Sequence, residues 1–228
     1  MSKYVISSSP HLRDNVSTTS IMRDVCIALL PAAVAGVLFF GYRSAIILAL
    51  SVAAAVLSEW LYCKAAHCRN TIGDFSAVVT GMLLAMNLPV SIPLWQAVFG
   101  ALVAIVAVKG LFGGIGKNFA NPAITARIVM FLAFSKTMTA WVFPDAVSSA
   151  TPLAMMANGE SVDYLTLLLG NHGGCLGETS ALALLIGFAY LLIRGVISWH
   201  TPVCFVGTVF VMSLILGQDA VGQILSGG

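Results

Sequence analysis

A chain of 228 residues that is 59% hydrophobic and only 9% charged is too apolar for a soluble domain, where about 25% of residues are charged. The net charge of +2 says little about partners, and no basic patch with interleaved aromatics points to nucleic acid. Cys26, Cys63, Cys68, Cys175 and Cys204 are scattered in no zinc or iron–sulfur pattern.

A membrane helix needs about 20 apolar residues, and the apolar blocks divide the chain into seven candidate spans. Residues 1–24 are polar, lack the plan of a secretory signal and read as a cytoplasmic lead-in. The first span, Val25–Tyr42, is fenced by Asp24 and Arg43, with Pro31 kinking it without ending it. The second, Ser44–Cys63, carries Glu59 near its end and is followed by Lys64, His67 and Arg69. The third, Asp74–Leu88, is short, so Ile72 and Gly73 are expected in its start; Asn87 and Pro89 close it. The fourth, Ile92–Val108, stops at Lys109. The Gly/Asn-rich segment 110–122 that follows is a poor helix former. Non-helical backbone at membrane depth must be shielded or line a cavity, so the segment is either an ordinary loop or a re-entrant element beside a ligand. A fifth span, Pro122–Ala133, has Arg127 in its first turns. The polar connection Ser135–Thr179 contains an apolar run, Tyr164–Leu169, suited to the membrane surface. The sixth and seventh spans are Ser180–Ile193 and Pro202–Leu216.

The fold class is therefore an all-α polytopic membrane protein. With the N-terminus inside, Lys3, Arg13, Arg23, Lys64, Arg69, Lys109, Lys117, Arg127 and Arg194 fall on the inner face, leaving only Arg43 and Lys136 outside. That bias favours a cytoplasmic N-terminus and an outer connection 135–179. A lone charge at the centre of a membrane helix costs about 2.5–3.5 kcal/mol on insertion scales. Glu59, Asp74 and Arg127 are accordingly expected close enough to a helix end to reach water, or, for Arg127, paired with an acid from another helix. Asp74 opens a span, which makes it the candidate for an ion path.

Composition alone leaves a transporter, a channel or a redox subunit. The discriminating segments are Thr80-Gly81-Met82-Leu83-Leu84-Ala85-Met86-Asn87-Leu88-Pro89, then Pro93-Leu94-Trp95-Gln96, and Lys109-Gly110-Leu111-Phe112-Gly113-Gly114-Ile115-Gly116-Lys117-Asn118. After them come Asn121-Pro122-Ala123 and Ser148-Ser149-Ala150-Thr151-Pro152-Leu153. In this order, over nearly the whole chain, they resemble the D subunit of the Rnf electron-transport complex, which is homologous to the B subunit of the sodium-pumping NADH:quinone reductase.

The resemblance implies about ten helices in a two-repeat architecture, of which this chain supplies the first part. A first bundle would span 25–134, an outer loop 135–179 and the start of a second bundle 180–228. It implies FMN in phosphoester linkage to Thr151, within Ser149-Ala150-Thr151, installed by a flavin transferase. Asp145 is followed by Ala146 where the family commonly has glycine. It further implies a second, non-covalent flavin (riboflavin or FMN) near Asn118 and Asn121; the residues themselves equally suit capping of helix ends beside Pro122. The implied setting is a bacterial inner-membrane complex exchanging electrons between NADH and ferredoxin, coupled to sodium or proton movement. This subunit would contact other membrane subunits and a neighbouring FMN-carrying subunit, with no direct NAD or ferredoxin binding. The flavin loop would face the periplasm. A flavin-free secondary transporter and the quinone-reductase homologue are the competing readings.

Overall fold

The computed structural model of the chain describes residues 17–68, 71–140, 155–156, 164–170, 174–178 and 180–226, and among these every regular element is helical. α1 (Thr18–Phe40) starts well ahead of Val25 because Ser17 caps it, its side chain accepting from Ser20 N–H at 3.2 Å. Asp24 therefore does not fence the span. It lies inside α1, buried, and accepts hydrogen bonds from the Tyr190 hydroxyl (3.2 Å) and Arg194 Nη2 (3.1 Å). The helix runs through Pro31 as expected. Gly41, at φ +75°, makes the hairpin into α2 (Tyr42–Ala65), a backbone conformation that suits glycine.

The faces of these helices are inverted relative to a soluble protein. α1 buries Asp24, Ala28, Ala32, Ala33 and Gly36, and α2 buries Ser44, Ser51, Ala54, Ala55, Ser58, Glu59 and Cys63, with Ile47 as its one large apolar buried residue. Leu30, Leu38, Leu57 and Leu61 point outward. Small and polar residues inside with large apolar residues outside is the arrangement of a membrane bundle, where close backbone approach replaces hydrophobic exclusion. α1 and α2 are each long and apolar enough to cross a membrane; the other apolar helices are shorter.

α3 (Ser76–Met86) packs on α2, and its 11 residues rise only about 16 Å, half of a ~30 Å hydrocarbon core. The turn 87–93 after it is partly buried, with Leu88 and Ile92 at 0% exposure. Its carbonyls must find donors. Arg43, expected as a terminal charge, reaches across to supply them, donating to Val90 O (2.9 Å) and Ile92 O (3.1 Å). The strip 175–177 supplies two more, from Leu176 N to Leu88 O (3.2 Å) and Gly177 N to Met86 O (2.8 Å). Ile72 and Gly73 belong to a separate 3-10 turn, Ile72–Asp74. α4 (Leu94–Gly110) packs on α2, and α5 (Pro122–Ala133) closes against α3 and α4.

Two short helices, α6 (Ser135–Met138) and α7 (Tyr164–Leu169), precede α8 (Ala181–Ile193), which lies antiparallel along α1. α9 (His200–Ile215) packs mainly on α10 (Ala220–Ser226), and Ser213 is its single buried residue. A Cβ on Gly187 would stand 2.2 Å from Ala28 O, and one on Gly81 2.7 Å from Val52 Cα, both against backbone that cannot yield. Gly187→Val and Gly81→Val are expected to cost about 1–3 kcal/mol each by overpacking, read as a lower melting temperature of the detergent-solubilised protein. Gly207→Val, with nothing within 4 Å, should leave it unchanged.

Candidate functional site

The last turns of α2 and α4 meet at one end of the bundle. α4 is α-helical to Leu102, but from Val103 it widens to i→i+5 bonding: Leu111 N donates to Val106 O (3.1 Å) and Gly114 N to Lys109 O (3.0 Å). Such π segments are rare and concentrate at functional sites. Here the widening belongs to the segment that turns Lys109 inward, where it is 4% exposed. Its ammonium donates to Glu59 Oε1 at 2.5 Å, and also to Ser76 Oγ. Thr71 Oγ1 donates to the same Glu59 oxygen at 2.6 Å. The expectation that Glu59 reaches water is overturned, since it is 3% exposed. Lys109 likewise is a buried partner rather than a loop charge, so it drops out of the count that favours a cytoplasmic N-terminus.

Asp74 does not open the third helix as expected: it is the last residue of the 3-10 turn Ile72–Asp74, one residue before the N-cap Phe75 of α3. Its Oδ1 accepts from Ser76 N (2.9 Å) and Ser76 Oγ (2.5 Å), capping α3, whose preceding residue Phe75 has φ +63°. Asp74, Glu59 and Lys109 line one cavity of about 390 Å³, closed by Tyr62 and Cys63 of α2 and by Gly110, Gly113 and Gly114.

The Gly/Asn-rich segment continues from this wall as turns with no helix of their own, at φ +95°, +91° and +80° for Gly113, Gly114 and Gly116. Phe112 and Phe119 meet at 4.8 Å on an open surface, each largely exposed. Asn121 is the N-cap of α5, its Oδ1 accepting from Ala123 N at 3.0 Å, with Pro122 in the first turn. That is the capping role composition allowed. Asn118 differs: its Oδ1 is buried and takes no hydrogen bond among the described residues. A buried amide oxygen left so is costly, which makes Asn118 the better acceptor for a ligand N–H.

A second polar cluster lies farther along the bundle. Arg127 pairs with an acid, Glu178 (3.5 Å), which comes from the non-helical strip 174–178 rather than from another helix, and donates to Asn87 Oδ1 (2.8 Å) and Cys175 Sγ (3.3 Å). Cys175 donates in turn to Asn87 O at 3.4 Å. Burial, then the Glu178 carboxylate, push the Cys175 thiol well above its ordinary value, so it acts as a neutral donor rather than a nucleophile. The cluster joins α5, the end of α3 and the strip 174–178. Ser149 and Thr151 lie outside the described residues.

The NQR2, RnfD, RnfE family model matches residues 5–228. The D subunit of the Na(+)-translocating ferredoxin:NAD(+) oxidoreductase complex of Acetobacterium woodii is 45% identical over 232 residues, covering 98% of this chain and 73% of that protein. The D subunit of the proton-translocating ferredoxin:NAD(+) oxidoreductase complex of Clostridium ljungdahlii is 36% identical, over 99% of this chain and 75% of its own length. The D subunit of the ion-translocating oxidoreductase complex of Vibrio cholerae is 32% identical, over 98% and 76%.

Proposed function

The chain belongs to the NQR2, RnfD, RnfE family, and from that premise we propose that it relays electrons through a flavin on Thr151 in a ferredoxin:NAD(+) oxidoreductase complex. It is a subunit of a redox-driven, ion-translocating membrane complex. The observation that carries the reading is the match of nearly the whole chain to subunits so named, together with the Ser149-Ala150-Thr151 element. FMN bound through its phosphate would supply one-electron chemistry while its ring stays free.

The chain's own part is attachment and placement. Thr151 offers the hydroxyl a phosphoester needs, and Ser149 belongs to the element a flavin transferase would read. Asn118, whose buried oxygen takes no hydrogen bond among the described residues, fits the N–H edge of a second flavin, riboflavin or FMN. Asn121 is committed to its helix cap. The neighbouring FMN-carrying subunit would take the electron, and NAD and ferredoxin would bind elsewhere in the complex.

The test is fluorescence of the denatured band after expression beside its own flavin transferase, with mass spectrometry of the tryptic peptide beginning at Thr137. A flavin-phosphate adduct on Thr151 is the expected result. An unmodified peptide would sink the flavoprotein reading and bring forward a flavin-free transporter.

In the bacterial inner membrane the flavin loop should face the periplasm. Once Cys26, Cys63, Cys68, Cys175 and Cys204 are removed, Ser148→Cys should react with an impermeant thiol reagent in right-side-out cells. Labelling only after the inner face is opened would invert the topology.

A further inference from the structure

Two carboxylates and one ammonium line the cavity at the end of α2 and α4, namely Glu59, Asp74 and Lys109, so the cluster carries one negative charge in excess. Glu59 Oε1 is held by Lys109 and Thr71, yet Oε2, equally buried, takes no hydrogen bond among the described residues. A desolvated carboxylate oxygen without a donor is unfavourable unless something cationic visits it. Helix ends add to the field. α2 finishes at Ala65 with Cys63 on the cavity wall, and α4 finishes at Gly110, itself on the wall. Helix C-termini attract cations, and their last carbonyls are the ligands that interrupted membrane helices offer to Na⁺. The opposing positive end, the start of α3, is already capped by Asp74.

We propose that the Glu59 carboxylate is an alkali-cation site for which the Lys109 ammonium is a tethered competitor. An ion of the Na⁺ type enters through the cavity and binds at Oε2, and Lys109 relaxes toward Ser76 and Asp74. The hand-over needs no unpaired ammonium. Lys109 already donates to Ser76 Oγ, which donates to Asp74 Oδ1 at 2.5 Å, so the second carboxylate is one hydroxyl away. Charge balances, with two carboxylates facing one ammonium and one bound ion. Return of Lys109 to Glu59 expels the ion, so the lysine supplies release. The inference rests on the reading of this chain as an ion-translocating subunit.

The test uses the purified, assembled complex and Na⁺ alone as probe, at constant ionic strength against choline. Infrared difference spectra on adding Na⁺ should show a carboxylate band that Glu59→Gln removes. Lys109→Gln keeps a donor at Oε1 but loses the competing charge. Its half-saturating Na⁺ should fall by about tenfold, within the roughly 5–150-fold common for linked sites. Sodium moved per electron should fall with it, because release has lost its competitor. No Na⁺-induced band in the wild type, a band that responds only to acid, or unchanged half-saturation in an assembled Lys109→Gln complex would each overturn the proposal. The wild-type spectrum decides even if that variant fails to assemble. A wild-type complex that transfers electrons with no ion uptake would instead remove the underlying functional reading. Ion uptake without the infrared response removes the Glu59 site alone.

Discussion

Thr151→Val should yield a complex that inserts and assembles normally, shows no covalent flavin band and transfers electrons at background rate. The proposed bond is a phosphoester, so it requires a hydroxyl, and valine keeps the shape of threonine while removing that group. Thr151 falls in the polar connection between the fifth and sixth candidate spans, where it is expected to lie outside the packed helices. Substitutions outside packed cores mostly stay within about 0.5 kcal/mol, so loss of assembly is not expected to confound the result. Thr151→Ser retains a hydroxyl and should retain a measurable fraction of the flavin. Flavin content, blue-native assembly and electron transfer are measured on the same membranes. A Thr151→Val protein that keeps a covalent flavin would move the attachment to Ser148 or Ser149 and leave the relay function standing. A flavin-free wild type matured beside its transferase would end the relay reading altogether.

The second large effect is expected at the buried ion pair. Glu59→Leu strands the Lys109 ammonium, 4% exposed, in the bundle with Ser76 Oγ as its remaining partner. Breaking a buried pair from one side costs about 3–5 kcal/mol, a large share of the ~5–15 kcal/mol by which domains are stable. Little assembled complex should survive. Replacing both partners is different, because no charge is left desolvated and such swaps are often neutral. Glu59→Leu/Lys109→Met should therefore regain most of the assembly, yet its ion uptake should stay lost. Native-gel abundance and ion uptake in proteoliposomes separate the two quantities. A double variant as poorly assembled as the single would mean that Thr71 and Ser76 hold this end of the bundle through the charges themselves. Recovery of ion uptake along with assembly would contradict the cation site at Glu59.

Local features of the chain were legible one residue or one block at a time. The helices at 25–42, 44–63, 92–108, 122–133 and 180–193 follow from apolar block length, since transfer to hydrocarbon is nearly a sum over residues. Asn121-Pro122 reads directly as a helix start, and it is one. The family follows from short motifs in order, and the proposed tether element rests on the same resemblance. The charged residues were legible only as anomalies. The sequence places Glu59 near the end of the second candidate span and Lys109 at the stop of the fourth. It did not reveal that they touch, across 50 residues of sequence. Nor did anything local connect Asp24 with Arg194, 170 residues away, or Arg43 with the carbonyls of 90–92. The cost of a buried charge depends on what stands opposite it, and helix packing alone decides that. The π widening of α4 was not read from the sequence either, and the contact of its Lys109 with Glu59 exists only once α2 and α4 are packed. Sequence by itself thus determined the membrane class, the family and where most of the apolar helices lie. Tertiary structure decided which charges are paired, which oxygens of Glu59 and Asn118 are left over, and hence where an ion or a ligand has something to bind.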